Sequence, residues 1–176
     1  MLPTLDALWG RLLAGLALIG CLLLLAMMLI IVADVALRNL ASHDLARAMA
    51  WSNEVCEALL LLVTLSVAPW LLRQGQHIRV DILLQPLPPR WAWLLEWLGD
   101  LIGLATCVVL MVVSAQAALA SRASGALSIK TLVTPEWWIL APLPVAFALL
   151  SVEMLWRMHR LWRGERGPRK DAVSAA

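Results

Sequence analysis

Tyrosine is absent from this 176-residue chain, phenylalanine occurs once, and only 15% of the residues are charged. A soluble domain is about half apolar and about a quarter charged. With 62% hydrophobic residues, the chain carries more apolar surface than a core of its size can hide, because a soluble protein of this length leaves much of its surface in water. Lipid is the natural solvent for the surplus. Cysteine is scarce: Cys21, Cys56 and Cys107 lie in or beside apolar runs, with no CxxC or Cys/His cluster. They read as small apolar residues, not as a disulfide or a metal site. There is no Walker A pattern, which excludes nucleotide hydrolysis by that route. The three histidines, His43, His77 and His159, fall in loops or the tail, so the in-helix His pair of a membrane cytochrome b is missing. No charge stands near the middle of any long apolar run, where an ion or proton path usually shows one. Four spans are also few for a transporter built from inverted repeats. No catalytic site, cofactor or metal is expected, and no nucleic-acid partner. The chain reads as a non-enzymatic subunit that works with others.

What is present is four stretches long enough to cross a bilayer, which takes about 20 mostly apolar residues. They cover about 12–33, 51–72, 93–120 and 135–156, followed by a basic tail over 157–176. Backbone in lipid must satisfy its own hydrogen bonds, so the stretches are helices. The expected fold is an all-α integral membrane protein, one membrane domain over 1–176 with four transmembrane helices. The first apolar run, 22 residues without a charge, exceeds the roughly 7–15 of a signal-peptide core, and it is read as an uncleaved span. Gly75 is placed to cap the second helix, Pro86, Pro88 and Pro89 break the chain before the third, and Pro142 and Pro144 kink or loosen the fourth. Thr134-Pro135-Glu136 reads as an N-cap, a proline at the first helical position and an acid in the first turn.

All ten tryptophans fall near proposed helix ends, as in the aromatic belts of membrane proteins. Lys and Arg favour one side. Arg11, the loop residues Arg73, Arg79 and Arg90, and six residues of the tail from Arg157 to Lys170 face Arg38, Arg47, Arg122 and Lys130 on the other. Positive charge marks the cytoplasm, so both termini and the middle loop are expected inside, and the tail is expected against lipid headgroups. Within the middle loop, apolar Ile78, Val80, Ile82, Leu83 and Leu84 among polar groups suggest a short amphipathic segment lying on the membrane surface.

A few polar residues stand out as candidate subunit-interface or structural positions. Asp34 and Arg38 are spaced for a helical ion pair at the outer end of helix one. Trp51 opens helix two, and Glu54 and Glu57 share one face there. A carboxylate at the depth of Glu57 should face protein, because lipid exposure costs a few kcal/mol, with Arg38 or Arg47 as the expected partner. His77 and Asp81 are one turn apart if their loop is helical. Gly99 and Gly103 form a GxxxG pattern suited to close helix approach, and Asp100 beside them is expected to pair with Arg79, Arg90 or a partner subunit.

Taken in order, the Asp34–Arg38 helix end, the Trp51/Glu54 helix opening, the His77-Ile78-x-Val80-Asp81 loop followed by Leu87-Pro88, the Pro135/Trp137 opening and the in-helix Pro144 resemble the small membrane subunit, the DctQ type, of tripartite ATP-independent periplasmic (TRAP) transporters. The resemblance covers 12–162. It implies a sodium-gradient-driven importer of an organic acid in the bacterial inner membrane. A periplasmic binding protein captures the substrate, and a large elevator-type subunit moves it. The small subunit, here unfused, scaffolds the large one and helps dock the binding protein. Gly99, Gly103 and the polar helix ends are then expected in the packing against the large subunit. The alternatives are the small subunit of a tripartite tricarboxylate transporter, against which the His77–Asp81 loop argues, a membrane anchor or assembly subunit of a respiratory complex, and a self-associating exporter.

Overall fold

A computed structural model describes residues 2–40, 51–75 and 88–163. Five helices and one small hairpin follow in order: α1 (Leu2–Leu40), α2 (Ser52–Arg73), α3 (Pro89–Ser124), β1 (Leu127–Ile129), β2 (Val133–Pro135), α4 (Trp137–Leu140) and α5 (Pro142–Arg163). Four segments are long and apolar enough to cross a membrane: Asp6–Asn39, Ser52–Arg73, Trp93–Ser124 and Trp137–Trp162. The protein is thus an all-α, four-span membrane protein. The amphipathic middle segment expected over the loop after Gly75, with His77 and Asp81, lies outside the described residues, as do Arg47 and most of the basic tail.

The helices overrun the apolar runs because their polar flanks continue the same backbone ladder. The α1 helix, with 39 residues, is about 58 Å long at 1.5 Å per residue, against a hydrocarbon core of about 30 Å. The terminators are the expected kinds. Pro89 opens α3 at its first position. Gly75 follows α2 with φ 71° and donates its N–H to the Leu72 carbonyl. Gly125 stops α3 in the left-handed region at φ 64°. A side chain there would be strained, and the turn lets Ala126 donate its N–H back to Ser121.

The fourth span is where local chemistry departs from expectation. Thr134 and Pro135 are not a helix cap and first turn. They belong to β2, which pairs antiparallel with β1 in the register Leu127↔Pro135, Ser128↔Thr134, Ile129↔Val133. The N-cap of α4 is Glu136, without a side-chain capping bond. Ala141 keeps helical angles between α4 and α5, so the chain path runs on. The ladder is interrupted because Pro142 and Pro144 have no N–H to give to the preceding turn.

The spans form a row, not a closed bundle: α1 packs on α2, α2 on α5, and α5 on α3, and α1 and α3 share no extended contact. Each seam follows a helical stripe. Leu13, Ala17 and Gly20 of α1 turn toward α2, where a Cβ on Gly20 would stand 2.5 Å from Val67 Cγ2. Asp100 and Gly103 of α3 turn toward α5, where a Cβ on Gly103 would stand 2.5 Å from Met154 Cε, and Ser114 and Ser121 continue the buried stripe. Lipid tails are as apolar as leucine, so close backbone approach at small residues, not hydrophobic burial, drives such seams. Accordingly the buried apolar side chains among those described are few: Leu13, Ala17, Pro69, Leu72, Ala146 and Leu161. Both broad faces of the row and its two edge helices present leucine, isoleucine and valine outward.

Candidate functional site

The polar chemistry sits at the two ends of the row. At one end α1, α2 and α5 meet around Glu153, whose side chain is 0% exposed. Its carboxylate accepts from Trp9 Nε1 at 2.9 Å and pairs with Arg160 Nη2 at 2.6 Å and Arg73 Nη1 at 3.4 Å. Arg73 also reaches Asp6 Oδ1 at 3.0 Å, and Arg160 reaches the same oxygen at 3.5 Å. Gly10 leaves room for the Arg73 guanidinium, which would lie 3.1 Å from a Cβ there. Nearby, Arg157 pairs with the buried Asp100 at 3.0 Å and so joins α5 to α3. Two acids and two arginines in alternation neutralise one another, which is the condition for burying any of them. The edge-on contact of Trp97 with Trp162, centroids 6.2 Å apart, closes the α3–α5 seam at the same end.

At the other end the hairpin folds over the start of α2. Both carboxylate oxygens of Glu54 are taken by successive backbone amides of the hairpin tip: Thr131 N–H on Oε1 and Leu132 N–H on Oε2, the latter at 2.9 Å. Consecutive amides pointing one way make a concavity suited to an anion, and the bonds are charge-assisted. Lys130 adds an ion pair to Glu57 at 2.7 Å, and that carboxylate raises the lysine pKa by hydrogen bonding and charge. The far side of the hairpin is tied to α3, where the Ser121 hydroxyl donates to Glu136 at 3.4 Å and the Arg122 guanidinium lies 5.4 Å from the Trp137 ring centre. Cross-strand register puts Ser128 and Thr134 on the inward face of the hairpin and Leu127, Ile129, Val133 and Pro135 on the outward one; Ile129 is 82% exposed. Between the hairpin and α2 runs a groove of about 610 Å³, walled by Leu60, Leu61 and Thr64 on one side and by Trp138, Ile139 and Pro142 on the other, with Glu54, Glu57 and Lys130 at its mouth.

Measured against the sequence, Asp34 and Arg38 form the expected i,i+4 pair at 3.0 Å. Trp51 is the N-cap of α2. Glu57 pairs with Lys130, not with Arg38: the hairpin carries a lysine to it, whereas Arg38 is held by Asp34 one turn away. Asp100 pairs with Arg157 across the α3–α5 seam. The two glycines of GxxxG separate: Gly103 is filled by Met154, while a Cβ on Gly99 would meet nothing within 4 Å. The cluster of Asp6, Trp9, Arg73, Glu153 and Arg160 was not singled out from sequence. Its one visible signal was Glu153, a lone acid in the last apolar run with arginines four and seven residues on. Among the described residues, no group of three or more His, Cys, Asp or Glu side chains gathers as metal ligands would.

Fold and site together define a multi-pass membrane subunit, an open layer of four spans with ion-paired ends. Its sequence matches the family described as tripartite ATP-independent periplasmic transporters, DctQ component, over residues 27–164. The chain belongs to that family: it is the small membrane subunit of a TRAP transporter, and the family is one of transporter subunits, not enzymes. No curated protein matches the chain. Membership displaces the tricarboxylate, respiratory-anchor and exporter alternatives.

Proposed function

We propose that the chain is the static scaffold of a sodium-gradient-driven TRAP importer of an organic acid in the bacterial inner membrane, with both termini cytoplasmic. The observation that carries this reading is the open row. A layer one helix thick with apolar faces on both sides is shaped to be a wall for a larger body, and a transport domain that moves like an elevator needs a fixed wall. The ion-paired end around Glu153 holds α1, α2 and α5 in register against such motion. On the periplasmic side, the apolar outward face of the hairpin, Leu127, Ile129 and Val133, is a surface for docking the substrate-binding protein, clamped to α2 through Glu54.

Reconstituted vesicles test the assignment. Uptake of the organic acid should need a sodium gradient, the large subunit, the binding protein and this chain together, and omission of this chain should abolish it. Gly99→Leu, at an open position of α3, should weaken copurification of the two membrane subunits. Gly103 is the poorer probe because Met154 already occupies it. Undiminished complex yield and transport would remove this face from the interface. Ile129→Asp should lower the apparent affinity for the loaded binding protein without changing complex yield.

A further inference from the structure

The groove beside the hairpin combines two features. Its mouth holds an acid and a base side by side, Glu57 and Lys130, with side chains 68% and 47% exposed. Its walls are apolar and run along α2 from Glu57 to Thr64, about 10 Å of helix rise within a half-bilayer of about 15 Å. Thr64 adds no free polarity to the wall, because its hydroxyl is bonded back to the Leu60 carbonyl at 2.8 Å. On the facing wall Pro142 has no N–H to give the carbonyl of Trp138 one turn earlier, so that oxygen lacks its regular helical donor. A volume of about 610 Å³ lies within the roughly 300–1,000 Å³ of small-molecule sites.

An exposed ion pair above an apolar slot is complementary to a zwitterion with a hydrocarbon tail. We propose that the groove binds one glycerophospholipid with a primary-ammonium (ethanolamine) headgroup. The phosphate meets Lys130, the ammonium meets Glu57, and an acyl chain lies along Leu60, Leu61 and Thr64 against Trp138 and Ile139. A glycerol headgroup offers Glu57 only neutral hydroxyl donors, which lack the charge that strengthens the bond from an ammonium. A choline headgroup matches the charge but donates no hydrogen bond to the carboxylate. A helix of another subunit laid in the groove would bury the Glu57–Lys130 pair without replacing its hydration, which is costly.

The full chain, purified in detergent and mixed with equimolar phosphatidylethanolamine, phosphatidylcholine and phosphatidylglycerol of identical acyl chains, tests this by native mass spectrometry. One retained lipid is expected, with the ethanolamine form about tenfold over the glycerol form, the scale of one hydrogen bond to a charged group. Glu57→Gln should erase the preference. Leu61→Trp leaves the ion pair in place and fills the slot, so it should remove the retained lipid while helix content and thermal unfolding stay unchanged. Equal retention of the three headgroups, or unchanged retention by Leu61→Trp, overturns the proposal. The lipid should also persist when the chain is copurified with its large subunit. Its displacement there would assign the groove to a partner helix instead.

Discussion

The two ends of the row use the same side-chain chemistry to opposite effect. Around Glu153 the central carboxylate is withdrawn from solvent, and each acid is shared by two arginines drawn from different helices. Around Glu54 and Glu57 the charges stay in contact with solvent, and two of the donors are backbone amides of a three-residue hairpin tip. A buried pair is weak evidence of net stabilisation, yet removing one member leaves an uncompensated charge and costs about 3–5 kcal/mol. An exposed pair is worth about 0–1 kcal/mol. One end therefore locks three helices in register, and the other holds a surface element that can be displaced at little cost.

The sharpest way to break this contrast is Glu153→Gln. It keeps an acceptor for Trp9 but leaves Arg73 and Arg160 to share the single charge of Asp6. A loss of about 3 kcal/mol is expected, at the low end of the buried range because Arg160 is 40% exposed and can turn to water. Thermal unfolding in nanodiscs, with proteolysis of the freed α1 end, reads it; a loss below about 1 kcal/mol would make the two ends alike. Next come the seams. Gly20→Ala should cost about 1–3 kcal/mol, because the added methyl meets stiff, β-branched Val67. Gly103→Ala meets the flexible end of Met154 and should cost less. Equal losses in a paired unfolding experiment would contradict that ordering. Lys130→Ala should leave global stability unchanged within error, because an exposed pair contributes little, while opening the hairpin tip to limited proteolysis.

The smallest effect is expected from alkali. Glu57 raises the Lys130 pKa above the ordinary value of 10.5. The contribution of the pair is therefore complete below that value and fades only as pH rises beyond it. Tryptophan fluorescence of Trp137 and Trp138 should stay flat through pH 10.5, and a transition at or below that value, lost in Lys130→Ala, would show the pair to be absent.

The four spans were legible because length and hydropathy alone specify a membrane helix, and lipid leaves the backbone no alternative. The order of helices in the row was not, since a stripe of small or polar residues marks a contact face without saying which helix covers it. Local pairs such as Asp34–Arg38 follow from helical spacing and were readable. Pairs such as Glu57–Lys130 and Glu153–Arg73 join residues about 70 to 80 positions apart and depend on which helices touch. The hairpin was missed because Thr134-Pro135-Glu136 also fits a helix start. What decides for the strand is Gly125, whose turn sends the chain back across α2 with just enough length to double over once.

A layer one helix thick has no inside and outside of its own. Leucine, valine and isoleucine are interchangeable over most of its area, and the side chains that cannot be exchanged collect at the two rims and at two glycine notches. Whatever distinguishes this subunit from a relative serving another transporter is therefore written along its borders, and hybrids that swap helix midsections but keep both notches should assemble while hybrids that swap the rims should not.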